Sequence, residues 1–460
     1  MTFRNHFVVN SGTRSQMAVR TCLLILLSNS LLAAESASPK ATNFVVIMAD
    51  DLGYGDVSCF GATYYETPHL DQMAAEGMRL TDFHSNGPVC SPTRAALLTG
   101  RYQQRAGLQE VVFADPKQNR HHGLQTSETT FAEVLNQLGY ATGVVGKWHL
   151  GYEEQYNPVH HGFDDFWGYV SGNVCYQSHL DRMGIDDWWH NSTRVSEDGY
   201  TTHLVTQHAV DFIVDHQDEP FCLYVAHECV HSPFQGPNDP PVRVRGQVGD
   251  IKDAKVKDVG RAYQEMIVEM DHGIGRIVQA LKNCDLDERT LVLFFSDNGA
   301  TKQGSNAPWS GYKGSLSEGG HRVPFVAWQP GKILPGTTSE SPAMTMDILP
   351  TLVEIAGGDR LSSADGESLV PVLYEQEELA DRLMHWQYRN SWSVRDGQWK
   401  LPSDRNGADE KLFNLDADPR EEVDLSEAYP QTYDRLKQAH ADWNIDVARG
   451  ATVQPEASAN

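Results

Sequence analysis

Two periods alternate along the chain. Asn43-Phe44-Val45-Val46-Ile47-Met48-Ala49 is one continuous apolar run, the pattern of a strand buried on both faces. It stops at Asp50-Asp51 and gives way to the glycine-rich loop Gly53-Tyr54-Gly55-Asp56. Phe221 to Ala226 and Leu291 to Phe295 repeat the pattern, the second ending at Ser296-Asp297-Asn298. Thr142 to Val145 is a shorter strand that delivers Lys147-Trp148-His149, and Arg322 to Trp328 is a further core strand. Between these runs the apolar spacing becomes helical. Leu70, Met73 and Ala74 follow the Thr67-Pro68 cap; Phe131, Val134, Leu135 and Leu138 follow the capping box Thr130 to Glu133; Tyr263 to Leu281 holds the stripe for several turns. Asp347 opens another helix that ends at Ala356-Gly357-Gly358. Strands alternating with helices predict an α/β domain with a helix-covered sheet, over residues 41–360.

Elsewhere the pattern weakens. Tyr152 to Gly199 is rich in Gly, Asp, His and Trp without a period, as in loops that shape a cleft. Tyr54, His179, Trp188, Trp189 and Trp309 either line that cleft or pack the loops. Gln235 to Val259 is a second loop. After residue 380 come short aromatic strands at Leu383–Tyr388, Trp392–Val394, Gln398–Lys400 and Lys411–Leu415, then a helix from Gln431 to Val447. This predicts a smaller α+β subdomain over 380–450, with 451–460 as a loose tail. At the other end, Arg14 and Arg20 precede the apolar run Cys22 to Leu27 and the small residues Ala33-Ala34. That order predicts a signal peptide over 1–34 and a periplasmic or secreted product with no membrane anchor after cleavage.

Composition narrows the partners. A formal charge of −25 excludes a nucleic-acid binder, which needs a basic face. It would also repel sulfated polyanions, but salt confines that repulsion to about 8 Å. A local cationic pocket in an acidic exterior is therefore workable. Of the seven cysteines, Cys22 falls in the signal peptide. The others have neither zinc-site spacing nor a disulfide framework, although an oxidising compartment leaves room for one or two bridges; Cys222 and Cys229 read as core residues.

The candidate chemistry lies just beyond the strands, where open α/β sheets bind ligands. Asp-Asp and Asp-Asn are common turn dipeptides when met singly. Asp50, Asp51, Asp297 and Asn298 all follow core strands, and such oxygen donors gathered together suit Ca²⁺ or Mg²⁺. Cys90-Ser91-Pro92-Thr93-Arg94 precedes the helix-favouring run Ala95 to Thr99. Pro92 suits a first helical turn, which puts Cys90 where free N–H groups favour an anion and Arg94 can add donors.

Cys90 to Gly100 resembles, at every fixed position, the first signature of the sulfatase family, C-x-P-[ST]-R-x-x-x-x-T-G. Gly139 to His149 is similar to the second, G-Y-x-T-x-x-x-G-K-x-x-H. His231-Ser232-Pro233 fits the family's histidine before proline, with His227 a weaker rival, and Gly311-Tyr312-Lys313-Gly314 ahead of Glu318-Gly319-Gly320 fits its late lysine motif. The likeness extends from Asn43 to Leu415 and is nearest, over Asp51 to Gly107, to arylsulfatases of the N-acetylgalactosamine-6-sulfatase kind. Thr93 is a mild departure, since serine is commoner there.

The resemblance implies an alkaline-phosphatase-like fold, a large mixed sheet sandwiched by helices. It implies that a formylglycine-generating or maturase enzyme oxidises Cys90 to formylglycine, and that Asp50, Asp51, Asp297, Asn298 and residue 90 hold one Ca²⁺. It assigns Arg94, Lys147, His149, His231 and Lys313 to the sulfate and the aldehyde hydrate. The implied activity is hydrolysis of a sulfated carbohydrate or aryl sulfate, with His231 or Lys313 protonating the leaving oxygen and His149 deprotonating the hydrate. Two other readings remain open: a phosphodiesterase or phosphonate monoester hydrolase of the same superfold, and a non-catalytic binder of sulfated glycans with Cys90 unmodified.

Overall fold

Asn43–Ala49 (β1) is a strand with every residue buried. In the computed structural model, which describes residues 41–248, 256–404 and 409–457, β1 lies inside a ten-stranded sheet. From edge to edge the strands are Thr337–Ser339 (β11), Met78–Leu80 (β2), Phe325–Trp328 (β10), Thr290–Ser296 (β9), β1, Phe221–Ala226 (β8), Ala141–Lys147 (β4), Asp165–Tyr169 (β5), Trp189–His190 (β6) and Thr193–Arg194 (β7). The block β9-β1-β8-β4-β5 is parallel, whereas β10 and β6 run antiparallel to their neighbours. The sheet is thus mixed, as expected.

Alternate residues of β1 enter opposite cores, which is why its sequence is apolar throughout. Phe44, Val46 and Met48 pack with helices Cys90–Thr99 (α2), Phe131–Gln137 (α3) and Ile348–Ile355 (α7). Val45, Ile47 and Ala49 pack with Pro68–Glu76 (α1), Thr201–Asp215 (α4) and Val259–Asn283 (α5). The capping box forms: Glu133 N–H donates to Thr130 Oγ1 at 3.2 Å and Thr130 N–H to Glu133 at 2.9 Å. Thr67 does not cap α1 with its side chain, because its hydroxyl pairs with Ser58. Asp271 of α5 accepts from the His69 and Leu70 N–H groups instead.

The C-terminal subdomain is an antiparallel sheet of Met384–Tyr388 (β13), Ser391–Asp396 (β14), Trp399–Asp404 (β15) and Asp409–Glu410 (β16), with Phe413–Asn414 (β17) beside β15. Helix Pro430–Ala448 (α8) packs on β14 and β15. A buried polar seam joins this sheet to the larger one. Lys400 reaches Glu318 at 2.8 Å and Glu421 at 3.0 Å, and Arg395 grips both oxygens of Asp82 at 2.7 Å. Glu318 opens the short helix Glu318–His321 (α6), and Asp82 precedes the two-stranded pair Phe83–His84 (β3) and Ala343–Met344 (β12). Trp386 stacks on His321 at 4.2 Å and donates to Ser85 O at 2.9 Å. The seam therefore fixes the segment that leads into α2.

Several expectations need correction. The stretch Tyr152 to Gly199 is not all loop, since it supplies β5, β6 and β7, the last three strands at one end of the sheet. The helix α4 carried no expectation at all. Thr452 and Gln454, in the tail expected to be loose, are tied down: Thr452 N–H donates to Arg105 O at 2.8 Å, and Gly123 N–H donates to Gln454 Oε1 at 3.0 Å. No bridge forms among the described cysteines; Cys59, Cys90, Cys175, Cys222, Cys229 and Cys284 are free. The signal-peptide reading of 1–34 lies outside the described residues. No helix among the described residues is long and apolar enough to cross a membrane.

Gly146 shows how tightly β4 is held beside β8. Its φ is +102°, and an added Cβ would lie 2.0 Å from Ala226 O. Gly146→Ala is therefore expected to lower stability by more than about 1 kcal/mol, read as a shift of the urea midpoint, and to displace the adjoining Lys147.

Candidate active site

The parallel strands β1, β4, β8 and β9 end on one side of the sheet. Asp50 and Asp51 follow β1, Lys147 closes β4 with His149 beyond it, His231 follows β8, and Asp297 and Asn298 follow β9. The start of α2 brings Cys90 to the same place. All ten residues singled out in the sequence meet there except that they occupy two layers. Cys90, His149, His231 and Lys313 line a cleft of about 280 Å³. Arg94 and Lys147 lie behind its floor, fully buried.

The deeper layer is a lattice of charges. Lys147 Nζ contacts Asp50 Oδ2 at 2.5 Å, and Arg94 contacts Asp297 Oδ2 at 3.0 Å and Asp50 Oδ2 at 4.0 Å. Arg94 also donates to Lys147 O at 2.9 Å and to Tyr224 Oη at 3.3 Å. Lys313 Nζ, which lines the cleft, sits 2.5 Å from Asp51 Oδ1 and 3.4 Å from Cys90 Sγ. The thiol is 3.5 Å from Asp50 Oδ1. Arg94 and Lys147 thus have carboxylate partners within the site.

These contacts set the protonation chemistry. Burial, with Asp297 and Asp51 nearby, raises Asp50 to about 7 despite Lys147. Burial would raise Asp297 as well, but Arg94, Lys147 and Lys313 hold it below the usual carboxylate range. Burial and Asp50 push the Cys90 thiol up to about 12, so it is protonated and a poor nucleophile at neutral pH. Burial would lower Lys313, but Asp51, Cys90 and Asp50 raise it well above an ordinary lysine. Burial, reinforced by neighbouring cations, keeps His149 and His231 well below the usual histidine value.

Each histidine is held by partners that orient one ring nitrogen. His149 Nε2 donates to Val112 O at 3.0 Å, which leaves Nδ1 buried without a partner. Its φ is +57°, and Gly172 packs so near its ring that a Cβ there would lie 2.5 Å from Nε2. His231 Nε2 faces Asp51 Oδ2 at 3.8 Å. Asn173 Nδ2 lies 3.2 Å from His231 Nδ1, while Arg243 donates to Asn173 Oδ1 at 2.6 Å. His227, the rival, is fully buried with neither ring nitrogen partnered and does not line the cleft.

The donor set fits a cation. Ligand atoms of Asp50, Asp51, Cys90 and His231 all lie within 4.8 Å of one another. Asn298 donates from Nδ2 to Asp51 Oδ1 at 2.7 Å, and its Oδ1 is a buried acceptor with no partner. A hard ion among these oxygens would satisfy that orphan.

Tyr152, Asn173 and Arg182 on the cleft wall come from the stretch expected to shape a cleft, though none was named singly, whereas Val111 to Ala114, Tyr388 and Arg389 were missed altogether. The aromatic residues named from sequence took the other of their two readings and pack the loops. Trp188 stacks with His179 at 4.9 Å, and Trp309 lies beneath the Arg322 guanidinium at 3.9 Å. None of Tyr54, His179, Trp188, Trp189 or Trp309 lines the cleft.

The profile of the family described as Sulfatase matches residues 42–358, more than half of the chain. The chain belongs to the sulfatase family. It is 33% identical to N-acetylgalactosamine-6-sulfatase of Mus musculus over 83% of this chain and 75% of the relative. It is 36% identical to arylsulfatase A of Homo sapiens over 74% of this chain and 69% of that one. Among solved structures, Ps i-CgsB in complex with k-i-k-neocarrahexaose superposes with a TM-score of 0.79 at 29% identity, over 90% of this chain and 95% of that one. As a sulfatase, the chain is a sulfuric ester hydrolase, with the large mixed sheet and small C-terminal sheet of its structural neighbours.

Proposed function

We propose that this sulfatase is an exported enzyme that removes sulfate from a sulfated carbohydrate, with formylglycine made from Cys90 and one bound Ca²⁺. The observation that carries the reading is the position of Cys90. It sits at the first position of α2, between Asp50 and Lys313, with a thiol pushed too high to act as one. The names of the similar proteins, an N-acetylgalactosamine-6-sulfatase and an enzyme complexed with a neocarrahexaose, favour a sugar sulfate.

Asp50, Asp51, Asp297 and Asn298 would hold the ion, with residue 90 completing the set. When present, Ca²⁺ and the aldehyde hydrate supply a polarised sulfate oxygen and an oxygen nucleophile at sulfur. The protein's own residues do the rest. Arg94 and Lys147 hold Asp297 and Asp50 in place from behind and keep the floor from accumulating negative charge. Lys313 presents a cation at the cleft surface, where charge grows as the ester S–O bond breaks. Lys313 Nζ donates the proton that the departing sugar oxygen needs, or His231 Nε2 does so once the negative charge of the bound sulfate raises its low basicity. His149 has an unpartnered Nδ1 and low basicity until a charge develops beside it; it accepts the proton from residue 90 that releases sulfate.

The test compares sulfate esters with phosphate mono- and diesters of the same alcohols, with and without a calcium chelator. Sulfate release should be specific and should fall at least about 100-fold on chelation, returning with added Ca²⁺. Faster phosphate ester cleavage, or full activity without metal, would overturn the reading. Mass spectrometry of the peptide containing residue 90 separates the enzyme from a glycan binder: aldehyde supports the enzyme, intact thiol the binder.

A further inference from the structure

The chain carries 62 acidic and 37 basic residues, yet among the described residues no Asp or Glu lines the active-site cleft. Its lining includes Lys313 at the floor and, beyond the sulfate-handling residues, two arginines that the mechanism does not use: Arg182 and Arg389. They come from separate parts of the fold. Arg182 lies in the loop bounded by the Leu180–Asp186 bridge, and Arg389 in the hairpin between β13 and β14, with a φ of +55°.

Neither arginine has a structural reason to face the cleft. Both are exposed. Arg182 forms no ion pair among the described residues, and Arg389 has only Glu110, at 3.8 Å across a largely solvated contact. Such a pair is worth little and is easily exchanged for a better-placed anion. A guanidinium presents paired donors that match the oxygens of a sulfate or a carboxylate. Floor cations already serve the ester being cleaved, so these side chains are available to a second negative group on the same substrate.

We propose that Arg182 and Arg389 form a second anion subsite, so that this enzyme selects saccharides carrying a further sulfate or carboxylate beside the sulfate it removes. The inference rests on the sulfate-ester reading of the floor and goes beyond it by naming the substrate class. It also explains how an acidic protein captures a polyanion: repulsion from the exterior is screened beyond about 8 Å, and the rim supplies attraction inside that distance.

The test uses the intact protein and an Arg182→Gln/Arg389→Gln double variant, with the single variants alongside. Sulfate release is followed from three matched disaccharides: one with a single sulfate, one with a second sulfate on the neighbouring sugar, one with a uronate there. The native protein should prefer a dianionic substrate by about tenfold or more in kcat/KM, a preference that shrinks with added salt. In the double variant that ratio should fall about tenfold, towards parity. The favoured dianion tells sulfate from carboxylate. No preference in the native protein, or an unchanged ratio in the variant, overturns the proposal. Should no substrate release sulfate, the hydrolase reading fails by itself. Calorimetric titration of the disulfated disaccharide into Cys90→Ala, with and without the arginine substitutions, then still decides the rim: weaker binding without the arginines sustains it, equal binding overturns it.

Discussion

Cys90→Ala is expected to abolish sulfate release, with a loss of at least about 10³-fold in kcat/KM, while the fold is kept. The side chain is small and its neighbours Asp50 and Lys313 retain other partners, Lys147 and Asp51 respectively. Circular dichroism should therefore be unchanged as activity disappears. Cys90→Ser makes a sharper case. A serine hydroxyl can attack sulfur once, but it lacks the second oxygen through which an aldehyde hydrate expels sulfate. It should stall after a single turnover with sulfate esterified to residue 90, visible by mass spectrometry. Multiple turnover by either variant would show that the nucleophile lies elsewhere.

Lys400→Met is expected to be among the most destabilising single substitutions, at about 3–5 kcal/mol. The ammonium has no solvent exposure and lies between Glu318 and Glu421. Methionine roughly fills the volume but leaves Glu318 facing Glu421 with less cation to share. Burial would raise Glu318, but Lys400 is the first charge that holds it well below the usual range. With Lys400 gone, that carboxyl would rise, and the variant should regain part of its stability as pH falls through the new value. Urea unfolding at neutral and mildly acidic pH measures both effects. A loss below about 1 kcal/mol would mean that Arg395 and Arg322 suffice for the seam.

The fold was readable where one residue type served one purpose. β1, β8 and β9 are buried on both faces, so their runs are apolar without interruption. Helix α5 is amphipathic and α3 carries its cap in the sequence. Helix α4 escaped because its buried stripe includes Thr201, Thr202 and Thr206, which count as polar by composition yet pack inside. Strands β2, β5, β6, β7 and β11 are short and lie at or next to the two edges of the sheet, where context outweighs local propensity. At the site, the carboxylates were legible because each follows an apolar strand. Arg182, Asn173 and Arg389 stand in irregular loops or in the other subdomain, where no period or motif marks them. That Arg94 and Lys147 belong beneath the floor could not be read either, since a motif records which residues are present and not how deep they lie.

The pairing of β1 has a consequence for how the molecule comes into being. Phe44 sits beside Cys222 on one side and Leu291 on the other, so the middle of the sheet cannot close until most of the polypeptide exists. Topology of this kind makes for slow assembly. In the finished molecule the thiol of residue 90 is 2% exposed, so it is easier to reach before the sheet closes. A protein that had to grasp that side chain would meet less obstruction on the nascent chain than on the native protein.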